Sequence, residues 1–318
     1  MTPKISVFIT SYNQKAYLVE AIESVLAQTL KPFEIIIVDD CSTDGSQEII
    51  KNYAQTYPDI IRSFCHKHNL GIGKNKAFAQ RQVCGDWLSY LDGDDRFLPQ
   101  KLELEFEMLK KHPEAKIAYS NRYLIDANGQ RIKLWADNFE PPSGYIFPYV
   151  FSKALPYNTV FRNELISRAC LNKIGFYDEN RITHEDWDFK IRLSKHFLGI
   201  YCPLPLIEYR IHDQGISRYS TAFLRLSQMQ EVYYKNRILL NDLHPKERAL
   251  IESKLFKVFA KRSHEVIQDA IQRKQRIRAF QYYFKFLKWL SFKMAMKNLL
   301  CLFLRMQFTK LTKLFKTK

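Results

Sequence analysis

From Tyr219 to its end the chain contains no glycine and a single proline, Pro245. Glycine and proline are the strongest breakers of regular structure, so their scarcity predicts a helical C-terminal region. Acidic residues are missing from a shorter part, because Asp269 is the last one and thirteen lysines and arginines follow it. These cations account for most of the net charge of +16. A basic excess of this size favours a polyanionic partner, which we expect to bind the C-terminal tail.

Long apolar runs and paired cysteines are also missing. No apolar run approaches the roughly 18–20 residues of a membrane span, and none of the six cysteines forms a C-x-x-C pair. The chain enters its first predicted strand within a few residues of Met1, without the pattern of a signal peptide. These absences predict reduced cysteines and a cytoplasmic location. The apolar content of 46% is enough for a folded core.

The first 120 residues alternate short apolar segments with amphipathic ones. Strands are predicted over residues 5–10, 33–38, 60–65 and 87–91, and a helical pattern follows each of the first three. This alternation predicts an α/β fold with a mostly parallel sheet flanked by helices. Ligands of such sheets bind in the crevice at the carboxyl ends of the strands.

The fourth predicted strand ends in Asp92, Asp94 and Asp95, which surround Gly93. Three carboxylates so close together repel one another unless a cation lies among them, and a hard divalent cation is the natural partner. A solvated acidic turn is the alternative. Polar residues also follow the first two strands, namely Thr10, Tyr12, Asp39 and Asp40. Because all three clusters follow buried strands, they are expected to meet in one crevice, which favours the metal site.

Two further patterns point to the same crevice. Glu185 and Asp186 fall in the first turn of a predicted helix, either as ordinary N-terminal charge or as a base directed into the crevice. The alternation near residue 209 places Arg210 and His212 on one face of a strand, where they would suit phosphate and metal. Earlier in the chain, residues 123–156 form a predicted loop rich in aromatics, either part of an acceptor cleft or a cover for the sheet. A helix is predicted at about residues 162–171, and strands near residues 199–201 and 206–213.

Together these motifs resemble those of the family 2 glycosyltransferases, inverting enzymes with the A-type glycosyltransferase fold. The matching runs come in family order and cover about residues 4–217: ISVFITSYN (5–13), SVLAQT (24–29), IVDDCSTD (37–44), NLGI (69–72), LDGDD (91–95), GFYDE (175–179), EDWD (185–188) and YRIH (209–212). The resemblance implies a Rossmann-like sheet in a catalytic domain over residues 1–218. Its nucleotide-binding half would span about residues 1–120 and its acceptor-side half about 121–218. A helical extension would occupy residues 219–318.

The resemblance also implies a UDP-sugar donor and a divalent metal, Mn²⁺ or Mg²⁺. The donor would be bound by Thr10, Tyr12, Asn13, Asp39, Asp40, Asn69, Gly71, Lys74, Lys76, Asp92, Gly93 and Asp94. The metal would be held by Asp92, Asp94, Asp95 and His212. Asp186, supported by Glu185, would be the general base. The sequence departs from the family where Lys74-Asn75-Lys76-Ala77 replaces the Ala-Arg-Asn run of many members, because lysine supplies charge to phosphate without a bidentate fork.

The implied reaction is a single displacement that moves a sugar to a hydroxyl of a saccharide, which we expect to be lipid-linked. The base takes the hydroxyl proton and the metal neutralises the departing diphosphate. One alternative is a polyprenyl-phosphate glycosyltransferase, whose phosphate acceptor needs no base. A further alternative is a non-catalytic protein that binds sugar nucleotides or nucleic acid.

The basic tail, about residues 273–318, has a pattern of its own. Over residues 279–290 cations share one helical face and aromatics gather on the other, which predicts a basic amphipathic helix. A break near Ser291 and a second helix over about residues 293–308 should follow. Such a tail suits the anionic inner face of the cell membrane, as a peripheral contact. Nucleic acid is a less favoured partner, and packing onto the protein would explain the aromatics but not the cations.

Overall fold

The computed structural model describes residues 2–213, 215, 221–291 and 293–302. Within these ranges nine strands form one sheet, in the order β3-β2-β1-β4-β8-β6-β9-β5 with β7 paired to β6. The strands are β1 (Ile5–Ser11), β2 (Glu34–Asp39), β3 (Ile61–Cys65), β4 (Trp87–Asp92), β5 (Arg96–Phe97), β6 (Ala115–Ile125), β7 (Arg131–Leu134), β8 (Leu165–Ser167) and β9 (Leu198–Arg210). The four N-terminal strands are parallel to one another, as are β6 and β9. The predicted fold class, an α/β fold with a mostly parallel sheet and C-terminal helices, is confirmed.

Helices cover both faces of the sheet, and a separate apolar core fills each side. Strands β1 and β2 are fully buried along their length, which explains their continuous apolar runs. The helices are α1 (Lys15–Leu26), α2 (Ser46–Thr56), α3 (Ile72–Gln82), α4 (Lys101–Lys111), α5 (Phe147–Phe151), α6 (Cys170–Ile174), α7 (Glu185–His196), α8 (Ala222–Asn236), α9 (Pro245–Gln272) and α10 (Arg276–Phe286). Short 3₁₀ turns lie at Pro156–Asn158, Arg237–Leu240 and Leu287–Trp289.

The acceptor-side half differs most from the sequence prediction. The helix expected near residues 162–171 is wrong, because β8 occupies Leu165–Ser167 and pairs antiparallel with both β4 and β6. A run as short as this has no readable period, and its strand character comes from the two neighbours that enclose it. The predicted loop over residues 123–156 contains the end of β6, the strand β7 and helix α5. The two strands predicted near residues 199–213 belong mostly to β9, which continues through Pro203 and Pro205.

The described C-terminal residues are helical, as predicted, but their aromatic face packs against the rest of the protein. Phe286 is fully buried, with its ring centroid 5.6 Å from that of Phe223. Trp289 lies 4.6 Å from the ring of Phe259 on α9. The face that the sequence assigned to a membrane therefore contributes mainly to the core. Ile277 and Phe284 on α10 remain exposed.

A second helical segment, residues 293–302, follows a break at Leu290 and Ser291, as predicted. Asn298 is fully buried, and its Oδ1 lies 2.7 Å from both His264 Nδ1 and Gln268 Nε2 on α9. These contacts tie the segment to the long helix. The remainder of the predicted second helix and the tail beyond residue 302 lie outside the described residues. None of the described helices is long and apolar enough to cross a bilayer.

The packing of α10 can be tested with two phenylalanines two positions apart. Phe286→Ala should lower the free energy of unfolding by about 3–5 kcal/mol, because it leaves a cavity in the core. Phe284→Ala, at a side chain 67% exposed, should change it by less than about 0.5 kcal/mol. Urea unfolding followed by circular dichroism measures both. Equal effects of the two substitutions would contradict the packing of this face against the protein.

Candidate active site

The ends of β1, β2 and β4 are aligned at one edge of the sheet, because Ser11 pairs with Asp39 and Thr10 pairs with Asp92. Gly93 lies directly against β1, and its N–H donates to the Thr10 carbonyl at 2.9 Å. A Cβ at Gly93 would lie 2.6 Å from Gln14 Oε1 and 3.1 Å from that carbonyl oxygen. Any larger residue would have to displace the Gln14 side chain and shift the Thr10 carbonyl slightly, so glycine suits this close approach of the acidic cluster to the β1 loop.

Hydrogen bonds of Asp39 and Asn13 hold the loops that follow β1 and β2. The buried Asp39 carboxylate accepts hydrogen bonds from the Ser42 N–H at 2.7 Å, the Ser42 hydroxyl at 2.6 Å and Gln47 Nε2 at 3.1 Å. Asn13 has a left-handed backbone with φ of 51°, and its Oδ1 accepts from the Thr43 N–H. These contacts fix the β2 loop and link it to the β1 loop, so both residues shape the predicted donor site from within the protein.

Asp40 holds the glycine loop that follows β3. Its two carboxylate oxygens accept from the Leu70 N–H at 2.7 Å and the Gly71 N–H at 2.9 Å. Gly71 has φ of +87°, which favours glycine at this bend. The side chains of Tyr12, Asn69 and Lys74, also predicted to bind the donor, are exposed around this part of the crevice. These three side chains are thus accessible to a ligand, while Asp40 holds the backbone of the glycine loop in place.

Lys76 joins the acidic cluster to the first turn of α7. Its Nζ lies 3.0 Å from Asp92 Oδ1 and 3.2 Å from Glu185 Oε1, and the residue is only 1% exposed. Arg162 Nη1 lies 3.0 Å from the other oxygen of Asp92. Burial would raise the pKa of Asp92, but Lys76 and Arg162 outweigh it and lower that pKa. Asp92 is therefore a carboxylate already neutralised by two cations.

Asp94 faces His212, with Oδ2 and Nε2 2.9 Å apart. Asp95 is turned the other way, and its Oδ1 accepts from the Arg210 N–H at 2.8 Å. Burial, with the charges of Asp94 and Asp92, raises the pKa of Asp95 well above its usual range. Asp95 Oδ2 and His212 Nδ1 are buried, and neither has a hydrogen-bond partner in the described chain.

The structure thus pairs Asp94 with His212, while Asp95 binds the Arg210 backbone and Asp92 is paired with Lys76 and Arg162. Among the described residues, no group of three or more acidic, histidine or cysteine side chains is arranged to hold a metal ion. Asp94 and His212 form a pair of oxygen and nitrogen donors. Such a pair fits a Mn²⁺ or Mg²⁺ ion, because these ions often take few protein ligands and complete their shells with substrate phosphates and water.

Asp186 is half-buried in the first turn of α7, and its Oδ1 accepts from the Trp187 N–H at 2.7 Å. Burial would raise the pKa of Asp186, but Lys190, Arg162, Lys153 and Lys76 together hold it well below the usual range. Glu185 shows the opposite result, because burial raises its pKa and Lys76 only partly offsets this. At neutral pH Asp186 is therefore an ionised carboxylate in a cationic environment.

Several of these cations were missed in the sequence. Arg162 stacks over Tyr209 at 4.4 Å, and Lys190 Nζ lies 3.4 Å from Glu164 and 3.2 Å from the Tyr90 hydroxyl. Arg122 lies 4.1 Å over the ring of Trp135, and burial lowers its pKa to about 9. The available signal was a cation within an otherwise apolar segment, as at Lys190 between Phe189 and Ile191. For Arg162 the sequence offered no signal, since its neighbourhood read as a helix.

Comparison with known proteins agrees with the geometry. The family model described as Glycosyl transferase family 2 matches residues 6–174. An uncharacterized glycosyltransferase of Methanocaldococcus jannaschii is 32% identical over 244 residues, which cover 74% of this chain and 81% of that protein. The uncharacterized glycosyltransferase YwdF of Bacillus subtilis is 29% identical over 216 residues, covering 67% of this chain and 76% of the relative.

Two solved structures share the fold. Residues 1–349 of S. aureus TarS in complex with UDP-GlcNAc superpose with a TM-score of 0.66 and 17% identity, covering 92% of this chain and 82% of that one. The mannosyltransferase PcManGT from Pyrobaculum calidifontis, in complex with GDP-Man and Mn²⁺, gives a TM-score of 0.61 and 15% identity. That match covers 96% of this chain and 87% of the neighbour.

Two nearby lysines of α3 test the ionic bridge. Lys76→Met should lower the free energy of unfolding by about 3–5 kcal/mol, because it leaves Asp92 and Glu185 buried with less compensating charge. Lys74→Met removes the same charge from an exposed side chain and should change it by less than about 0.5 kcal/mol. Denaturant unfolding at pH 7 compares the two variants. A loss of stability in Lys74→Met as large as in Lys76→Met would argue against the bridge.

Proposed function

Because the chain belongs to glycosyl transferase family 2, we propose that it transfers a sugar from a UDP-sugar to a hydroxyl of a saccharide acceptor, with inversion at the anomeric carbon. The observation that carries this proposal is the position of Asp186 in the first turn of α7, next to Glu185, which shares Lys76 with Asp92 of the acidic cluster. The surrounding cations hold the pKa of Asp186 low, so its carboxylate is ionised. An ionised carboxylate close to the proposed donor site is suited to remove a proton from the hydroxyl of an acceptor.

We assign the donor nucleotide to the crevice at the ends of β1, β2 and β4. The exposed ring of Tyr12 can stack on a base, while Asp40 can accept a further hydrogen bond from the base, since each carboxylate oxygen has two acceptor sites. A uracil imide suits this acceptor. A guanine also presents N–H donors, so the donor screen below includes GDP-mannose. Thr10 and Asp92 at the strand ends would lie near the ribose.

Asp94 and His212 would hold the divalent metal, supported by Asp95 through its hydrogen bond to the Arg210 backbone. When bound, Mn²⁺ or Mg²⁺ supplies positive charge for the departing diphosphate. Arg210 fixes this corner, because its guanidinium donates to the Asp94 carbonyl at 2.9 Å and to Glu20 at 2.7 Å. Asp92 was also predicted as a metal ligand. Already paired with two cations, it suits ribose hydroxyls better.

Asp186 acts as the general base in this proposal. It takes the proton of the acceptor hydroxyl while the oxygen attacks the anomeric carbon from the face opposite the diphosphate, so that one displacement inverts the configuration. Its low pKa keeps it ready to accept a proton, at some cost in basicity. Glu185, paired with Lys76, holds the first turn of α7 against the acidic cluster. A lipid-phosphate acceptor, the alternative substrate, would not need this base.

The donor and the base can be tested in one assay. Asp186→Asn should lower kcat by about 10²–10⁴ while leaving donor binding intact, because only the proton acceptor is removed. Glu185→Gln should retain more activity and lose stability. Transfer and hydrolysis are measured across UDP-sugars and GDP-mannose, with Mn²⁺ or with EDTA. Full activity of Asp186→Asn on a polyprenyl phosphate would favour the alternative, and no response to any UDP-sugar would refute the donor assignment.

We further propose that the enzyme works at an anionic membrane surface, with a lipid-linked acceptor. The support is the basic C-terminal region, in which the exposed Lys293 and Lys297 accompany the exposed apolar side chains of Ile277, Phe284 and Leu300. Since four of the five aromatics of α10 are buried or partly buried, these few side chains and the charge would carry the contact. Such binding weakens as salt screens the charges.

Two exposed isoleucines give a matched test of this surface. Ile277→Ser should reduce flotation of the protein with vesicles of phosphatidylglycerol and phosphatidylcholine, because it removes an apolar contact. Ile238→Ser, on the 3₁₀ turn Arg237–Leu240 and similarly exposed, should leave flotation unchanged. High salt should weaken binding in all cases. A wild-type protein that stays in the dense fraction at low salt, or equal losses in both variants, would refute this membrane surface.

A further inference from the structure

Lys153 is a buried cation without a carboxylate partner. It lies in the turn after α5, is 6% exposed, and has a left-handed backbone with φ of 52°. Its Nζ lies 4.6 Å from the centre of the Trp187 ring, in the first turn of α7 beside Asp186. Within the described residues, this ammonium group forms no hydrogen bond or ion pair. Burying an unpaired charge is costly, so the position calls for an explanation.

The other deeply buried lysines show what a structural role requires. Lys76 contacts Asp92 and Glu185, Lys101 lies 2.9 Å from Glu105, and Lys190 lies 3.4 Å from Glu164. Each has its carboxylate within 4 Å, as buried charges normally do. Lys153 has only the more distant field of Asp186. A partner for its charge is therefore absent from the described chain.

A second cation reaches the same place from the C-terminal helices. Helix α9, which carries Arg262, packs against α5, the short helix just before Lys153. Arg262 forms no ion pair within the described residues, and its positive charge acts on both Lys153 and His184. Burial, together with the charges of Arg262, Lys190 and Arg162, lowers the pKa of Lys153 to about 7 against the opposing effect of Asp186. Burial and the charge of Lys153 lower the pKa of His184 to about 3. With this pKa the Lys153 amine is only partly protonated near neutral pH, and an anion bound beside it would stabilise its charged form.

We propose that Lys153 and Arg262 form an anion subsite beside Asp186, which binds a phosphate or carboxylate group of the acceptor. The subsite rests on the proposed transferase function, and it names the acceptor class as an acidic saccharide or a phosphorylated polyol or saccharide. The two cations offset the repulsion between the acceptor's negative charge and the ionised base. Because Arg262 lies on α9, the helical extension then contributes directly to acceptor recognition.

The subsite can be tested with small probes on the full-length protein saturated with UDP and Mg²⁺. Glycerol 3-phosphate and glucuronate represent the phosphate and carboxylate sources, and glycerol and glucose are their neutral counterparts. Ligand-observed NMR and calorimetry measure binding. We expect at least one anionic probe to bind about tenfold or more tightly than its neutral counterpart, as for hydrogen bonds to charged groups. The probe that binds identifies the anionic group.

Variants then locate the binding. Lys153→Met and Arg262→Gln should each weaken the anionic probe about tenfold without changing UDP affinity. Lys257→Met, which removes an exposed lysine from α9, should change neither. Arg262 is only partly buried, so Arg262→Gln remains informative if Lys153→Met does not fold.

Three results would overturn the subsite: no preference for anionic probes, unchanged binding in Arg262→Gln and in folded Lys153→Met, or an equal loss in Lys257→Met. In each of these cases intact UDP binding would leave the proposed function standing. Failure to bind UDP or any other donor nucleotide would defeat the donor assignment, and the acceptor subsite would fall with it.

Discussion

The ion pairs of Lys76 hold the active-site region together. This side chain rises from the nucleotide-binding half, contacts the end of β4 through Asp92, and reaches across to Glu185 at the start of α7. The bridge determines where the acidic cluster stands relative to the first turn that carries Asp186. It is also buried, so its two carboxylates depend on it for compensation. One lysine thus links the acidic cluster to the helix turn that carries the proposed base, through Asp92 and through Glu185, the neighbour of Asp186.

Around this bridge the charges alternate through the interior. Arg162 forms an ion pair with the Asp92 oxygen that Lys76 does not contact. Lys190 contacts both Glu164 and the Tyr90 hydroxyl. Such a network is stable only when each member has its partners, which explains why the described buried lysines nearly all have carboxylates. Asp95 and Lys153 depart from this pattern, because Asp95 Oδ2 has no hydrogen-bond partner and the buried Lys153 forms no ion pair within the described residues. Asp95 lies at the proposed metal site and Lys153 at the proposed acceptor subsite.

The strand ends of the nucleotide half could be predicted from the sequence, because β1, β2 and β4 are buried runs followed directly by polar residues. The family resemblance also grouped His212 with the acidic cluster, and the structure brings it beside Asp94. What failed depended on distant partners. The strand character of Leu165–Ser167 comes from β4 and β6. Asp92 is neutralised by Arg162, a residue far away in the chain, and this pairing distinguishes it from the proposed metal ligands Asp94 and His212. The periodicity of residues 279–290 correctly predicted an apolar face. Periodicity does not identify the residues that pack against such a face, which here include Phe223 and Phe259.

That covering has a consequence for how the chain can be shortened. One apolar core runs without interruption from Trp187 in α7 through Phe259 to Phe286, so the boundary near residue 218 separates sequence patterns rather than packing units. A premature stop codon anywhere between residues 220 and 286 would expose core side chains that normally never meet water. Such an allele would encode a protein that fails to fold and is degraded by proteolysis. Its phenotype would therefore reflect lost protein, whatever the effect on the proposed membrane and acceptor contacts.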